Sequence, residues 1–219
     1  MSGATSSSAT VRGLIRDVGG RYSTEMGIDV TAGDAQVERW FVAATLFGTR
    51  IAARVAQRAY AELYGAGINR ITDAASRAWS DLVALLDAGG YGRYDYRTAT
   101  RLQDLARVVL ERYGGEVAQI GRRYVTSDAL VAALDALPGW GPVTIRLFLR
   151  ELRGVWPGAA LPLDPRALEA ARRLGLVGDA HFEGDALGRM TDIARRAGCD
   201  ERDLDAALVR VSLGRRPTR

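Results

Sequence analysis

Residues 137–145 read LPGWGPVTI, and they fall between two helical patterns, DALVAALDAL before and PVTIRLFLREL after. Two glycines and two prolines in so short a span specify a tight turn between helices. Gly139 and Gly141 permit positive φ and let the backbone approach a ligand closely. Pro142 suits the first turn of the next helix, where a missing N–H is no loss. The first-turn amides of a helix lack internal partners, and its dipole is positive at that end. Such a turn either cradles a phosphate through backbone alone or is an ordinary corner. Leu134, Leu137 and Ile145 are spaced to lock the two helices together.

Outward from this turn the chain reads as helical throughout, with Ala, Leu and Arg at helical spacing and little strand-like alternation. Asp34 is placed to cap a helix through VERWFVAATLF, and Thr49 a second through RIAARVAQRAYAELY, ended by Gly65. A third covers residues 74–88, stopped by Gly89 and Gly90. The stretch GYGRYDYRTATRLQDLARVVLERYGG predicts a turn and a long helix ending at Gly114–Gly115. Ser127 or Asp128 caps the helix before the quoted turn. Beyond it, residues 161–176 read LPLDPRALEAARRLGL, with Pro165 opening a helix directly after Asp164. Two more helices are expected over about 185–197 and 201–213. The short separators suit helices packed as antiparallel neighbours.

Composition excludes several chemistries. The chain has 219 residues, 47% hydrophobic and 26% charged, enough for one or two small domains. No apolar run reaches the ~20 residues of a membrane span, and no basic-then-apolar block stands among the first residues, so no secretion signal is expected. The single cysteine, Cys199, precludes an internal disulfide, a cysteine zinc site and a four-cysteine iron–sulfur cluster. A cytoplasmic location is expected, associated with the nucleoid in a bacterium. Cys199 reads as a half-buried structural residue and the single histidine, His181, as a surface-loop residue. The net charge of +4 is a mild basic bias compatible with nucleic acid. All thirty basic residues are arginine, so no lysine amine can form a Schiff base.

The motif ALPGWGPVTIRLFL resembles the helix-hairpin-helix of the endonuclease III superfamily of DNA glycosylases, whose pattern is close to LPGVGxKTA. LDPRALEAARRLGL is similar to the family's V-D-T-H-V-x-R-x-x-x-R-L-G-L segment, and GRYDYRTATRLQDLARVVLERYGGEV to its G-x-Y-x-x-K-A turn and following helix. FVAATLFGTRIAARVA stands where the family has its L-L-S-x-Q-x-T-D junction, so the likeness runs over roughly residues 37–177. The resemblance implies an all-α, two-lobed architecture. A six-helix-barrel-type lobe would cover 35–150 and end in a helix-hairpin-helix at 127–152. Residues 11–34 and 153–213 would form the second lobe, between tails at 1–10 and 214–219.

By the same resemblance Leu137, Gly139, Trp140, Gly141, Val143 and Thr144 form the phosphate-binding hairpin, with a sodium or potassium ion possible on its carbonyls and no metal held by side chains. Trp140 either presses on the DNA backbone or caps the hairpin core. Asp164 takes the position of the family's catalytic aspartate. A carboxylate there can stabilise positive charge developing on the deoxyribose and orient or deprotonate water, although an Asp before Pro is also an ordinary helix N-cap. Phe47 is a wedge candidate or a core aromatic, and Arg50 a phosphate or opposite-base contact or a surface residue. Tyr94 either stacks at the pocket or packs in the core.

Two departures shape the expected chemistry. Strand-cutting relatives carry a lysine where this chain has Val143, so a monofunctional enzyme is expected, one that hydrolyses the N-glycosidic bond with water and leaves an abasic site. Adenine-excising relatives place a glutamate six residues before the junction threonine, where this chain has Ala43. Uracil- or thymine-type lesions therefore rank first and alkylated bases second. The expected partner is double-stranded DNA bearing a lesion or mismatch, bound by a monomer. A non-catalytic DNA-binding protein keeping the hairpin is the alternative.

Overall fold

The computed structural model of the chain describes residues 2–48, 51–177 and 186–214. Among them there is no strand. The α-helices are α1 (Ser2–Val18), α2 (Tyr22–Glu25), α3 (Asp34–Phe47), α4 (Ala53–Gly65), α5 (Trp79–Ala88), α6 (Asp95–Tyr113), α7 (Ala118–Arg123), α8 (Ser127–Asp135), α9 (Pro142–Glu151), α10 (Pro165–Arg173), α11 (Ala186–Ala197) and α12 (Glu201–Ser212). Two short 3-10 turns, Ile71–Ser76 and Pro157–Ala159, complete the set. The chain divides into two compact units, a central one over Met26–Ala160 and a second built from Met1–Glu25 with Leu161–Arg219.

The central unit is organised around α3. Val37, Trp40, Phe41, Val42, Ala43, Ala44 and Leu46 are all buried, so the helix is enclosed on all sides over residues 40–46, as that apolar run requires, while its polar first turn stays at the surface. It packs against α4 and α9. Gly33, with φ 107°, is the residue before the helix, and Asp34 is its first residue, paired with Arg122. Asp34 does not cap its own helix because the turn into α3 needs a conformation that only Gly33 adopts freely. The expected cap of α4, Thr49, lies outside the described residues, and Ala52 precedes that helix. Long α6 ends as predicted, with Gly114 left-handed at φ 63° and Gly115 N–H donating to Val109 O.

Residues 74–78 depart from the expected helix. The Asp73 carboxylate accepts the Asn69 and Arg70 amides, which pins a 3-10 turn with Ile71 and Ala74 buried beneath it. Arg77 and Ala78 are extended, and α5 starts only at Trp79.

The boundaries also differ from the expected ones. Residues 26–34 belong to the central unit, where Ile28 and Val30 are buried. Residues 153–160 belong there too. Trp156 packs edge-on to Phe148 and over Gly121, and the Pro157–Ala159 turn lies on α8.

The second unit is a cluster of α1, α10, α11 and α12. Its core is rich in alanine (Ala167, Ala170, Ala171, Ala194, Ala197, Ala207), with Val11, Leu14 and Leu204 filling between. Small residues let helix backbones approach closely. The backbone is helical from Ser2, where a tail over 1–10 is expected. A helix nucleated by buried Val11, Leu14 and Val18 extends backwards with no proline to stop it. Before α2, Arg21 makes a two-pronged bond to Asp203 on α12, Nε to Oδ1 at 2.9 Å and Nη2 to Oδ2 at 3.2 Å. The fully enclosed Arg210 pairs with Glu25 at 2.7 Å and lies 3.8 Å over the Tyr22 ring.

Candidate functional site

The quoted turn joins α8 to α9 as the glycines and Pro142 require. Leu137 is buried and its carbonyl accepts the Trp140 amide at 3.1 Å. Gly139 has φ 72°, the left-handed region. A Cβ there would overlap Arg101 Nε and lie 2.7 Å from its Cδ. The close approach that this glycine permits is therefore made by an arginine of α6. Gly141 is different. Its backbone is extended, at φ −140° and ψ −179°, and a Cβ would meet nothing within 4 Å. Neither conformation nor an internal neighbour demands glycine at 141, so the space above it is open to a ligand.

Behind the turn, Trp140 faces inward at 5% exposure. Its ring stacks on Phe41 at 4.4 Å and meets Phe148 edge-on at 5.1 Å, while Nε1 donates to Thr45 Oγ1 at 3.2 Å. Of the two roles left open for Trp140, the structure gives the core cap. Its side chain is spent on α3 and α9, and only its backbone is at the turn. Thr144 is likewise buried, against Gly48, where a Cβ would overlap the threonine hydroxyl. Val143 points outward at 58% exposure, on a first helical turn that no side chain caps among the described residues.

These contacts bring the end of α3 to the hairpin. Trp140 bonds Thr45 and Thr144 abuts Gly48. From the turn before α6, the Tyr91 hydroxyl donates to Leu46 O on the same end of α3. Phe47 is partly buried with its ring 6.4 Å from Trp40, so the wedge candidate sits beside the turn but leans on the core. Arg50 and His181 lie outside the described residues. Tyr94 is partly exposed at the start of α6, with Arg93 6.0 Å over its ring, and its carbonyl accepts the Thr98 amide. Cys199 is partly buried, with its thiol donating to Ala194 O at 3.5 Å; burial pushes its pKa up.

Sequence reading missed Thr45, Tyr91 and Arg101. An alternation of aromatic and glycine around residue 91 carried a trace of the second. One arginine among thirty carries no signal for the third.

In the second unit, Asp164 stands directly before Pro165 and caps α10. Its Oδ1 accepts the Arg166 amide at 2.9 Å and Arg166 Nε at 3.3 Å. The residue is 9% exposed. Both interactions converge on one oxygen. The capping role is thus filled, and it holds the carboxylate in one orientation.

Among the described residues no group of three or more His, Cys, Asp or Glu is placed to hold a metal ion, and no helix is long and apolar enough to cross a membrane. No protein-family model and no curated protein matches the chain.

Proposed function

We propose that the chain is a monofunctional DNA glycosylase of base excision repair, with the two-lobed helix-hairpin-helix architecture of the endonuclease III superfamily. In this reading the turn 139–141 and the first turn of α9 take a backbone phosphate. Asp164 assists attack of water on C1′ of an extruded nucleotide, the base leaves, and an abasic site remains. The observation that carries the reading is Gly141, a glycine demanded by nothing inside the protein, at the mouth of an uncapped helix beside exposed Val143. The absence of lysine from the whole sequence supports hydrolysis over imine formation. Uracil- and thymine-type lesions remain first and alkylated bases second. Turn carbonyls of Leu137 and Gly141 already accept amides of Trp140 and Ile145. Each keeps a second lone pair, a donor chemistry that suits a weakly held sodium or potassium ion.

The engagement of Asp164 as a helix cap favours a second reading, a DNA-binding protein without base chemistry. Duplexes each carrying one damaged or mismatched base, incubated with the protein and then treated with alkali, separate the two. The glycosylase releases uracil or mismatched thymine before alkylated bases, alkali then breaks the strand at each abasic site, and borohydride traps no protein–DNA adduct. Salt-dependent duplex binding without excision on any duplex selects the second reading. No salt-dependent binding removes both.

A further inference from the structure

We propose that Arg97 and Arg101 of α6 form a cationic side-chain arm that grips the same DNA phosphate as the turn 139–141. The proposal rests on the hairpin's reading as a phosphate site and adds to it the side-chain charge that the hairpin itself lacks.

Arg101 lies across the turn. Its Cδ and Cζ are 2.7 Å and 2.9 Å from where a Cβ on Gly139 would be, so the guanidinium starts at the hairpin backbone. Its Nη1 is buried and has no hydrogen-bond partner among the described residues. A guanidinium offers five donors in a fixed plane, and leaving a buried one unmet is costly. Arg97 stands four residues earlier on the same helix, hence on the same face, and is exposed. Among the described residues neither arginine makes an ion pair, unlike Arg107 and Arg122, which each have a carboxylate. Burial and the charge of Arg97 both pull the Arg101 pKa down, with Tyr91 opposing. Two like charges held together, one partly desolvated, make an arrangement that an anion relieves. The diester's two free oxygens match a planar guanidinium fork. Gly139 then has a defined purpose: a side chain at that position would evict Arg101.

The test is the salt dependence of binding to an undamaged DNA duplex, between about 50 and 200 mM salt, for wild type, Arg97→Gln, Arg101→Gln, Arg101→Lys and Val143→Asp. Each arginine-to-glutamine change is expected to lower the slope of log K against log salt, the two together by about 0.9 because they share one phosphate, equally for all sequences. Arg101→Lys keeps the slope but binds more weakly, because charge survives and the fork does not. Val143→Asp puts a negative charge at the first turn of α9 and weakens binding through the hairpin itself. If Val143→Asp weakens binding while both glutamine variants keep the wild-type slope, the arm is overturned and the hairpin reading stands. If the glutamine variants lose slope and Val143→Asp binds like wild type, DNA lies on α6 without the hairpin, and the shared grip is overturned. A wild type without salt-dependent binding overturns both. Arg97 is exposed, so its variant decides the matter even if Arg101→Gln unfolds.

Discussion

Trp140 Nε1 donates to Thr45 Oγ1 at 3.2 Å, and this bond, with the stacking of Trp140 on Phe41, ties the tip of the hairpin to the end of α3. The tryptophan is therefore part of the fold. Trp140→Ala is expected to destabilise the protein by about 3–5 kcal/mol, the usual cost of deleting a buried large aromatic. Trp140→Phe keeps the stack, loses the hydrogen bond and costs about 1–2 kcal/mol. Urea denaturation measures both. In conditions where Trp140→Phe is folded, it should bind duplex as wild type does; a large binding defect would return the indole to the DNA.

The two glycines of the turn should separate cleanly. Gly139→Ala forces a side chain into the left-handed region and onto Arg101, which costs on the order of 1–3 kcal/mol. Gly141→Ala has ordinary extended dihedrals and no neighbour to strike, so its stability should stay within about 0.5 kcal/mol of wild type. Duplex affinity reverses the emphasis. Gly141→Ala should bind more weakly despite a normal melting temperature, because its methyl group occupies the ligand's space. A normal affinity would remove Gly141 from the site.

Local signals were legible in the sequence and remote ones were not. Pro142 and Pro165 marked the starts of α9 and α10, Gly114 marked the end of α6, and Asp164 read correctly as a residue able to cap. Each depends on backbone preference within a few residues. The break at residues 74–78 was hidden because the Asp73 carboxylate, not a proline or glycine, stops the helix by holding two amides. The role of Trp140 was hidden because its partner Thr45 is 95 residues away in sequence. Arg101 is one arginine among thirty in the sequence, and only the fold sets it over Gly139.

Glu38 predicts a pH dependence of stability. It is 4% exposed on α3, its Oε1 accepts the Val117 amide at 2.6 Å, and Oε2 has no partner among the described residues. Burial, the strongest influence, raises its pKa from 4.5 to about 7, with Glu116 and Asp73 adding to the rise and the Val117 bond and Arg70 opposing it. The unfolded chain loses this proton near 4.5 and the folded chain near 7. Between those values the folded state holds a proton the unfolded state has released, so stability falls as pH rises through the window and is level above it. The gap is worth roughly 3 kcal/mol. Glu38→Gln should flatten the profile and melt above wild type at pH 8. Identical slopes in the two proteins would assign the dependence to another group.

Asp164 carries two assignable roles, and two substitutions pull them apart. Asparagine caps a helix as well as aspartate does, so Asp164→Asn should keep the Arg166 amide bond and melt near wild type. Alanine cannot cap, and Asp164→Ala should lose about 1 kcal/mol. If the carboxylate also serves the reaction, Asp164→Asn loses excision by at least about a hundredfold while duplex affinity stays at the wild-type level, since an amide cannot balance positive charge on the sugar or accept a proton from water. Single-turnover excision on the best duplex of the panel, with affinity and melting measured on the same preparation, gives the three readouts together. Excision by Asp164→Asn at the wild-type rate would leave Asp164 as a cap alone and move the chemistry elsewhere in the chain.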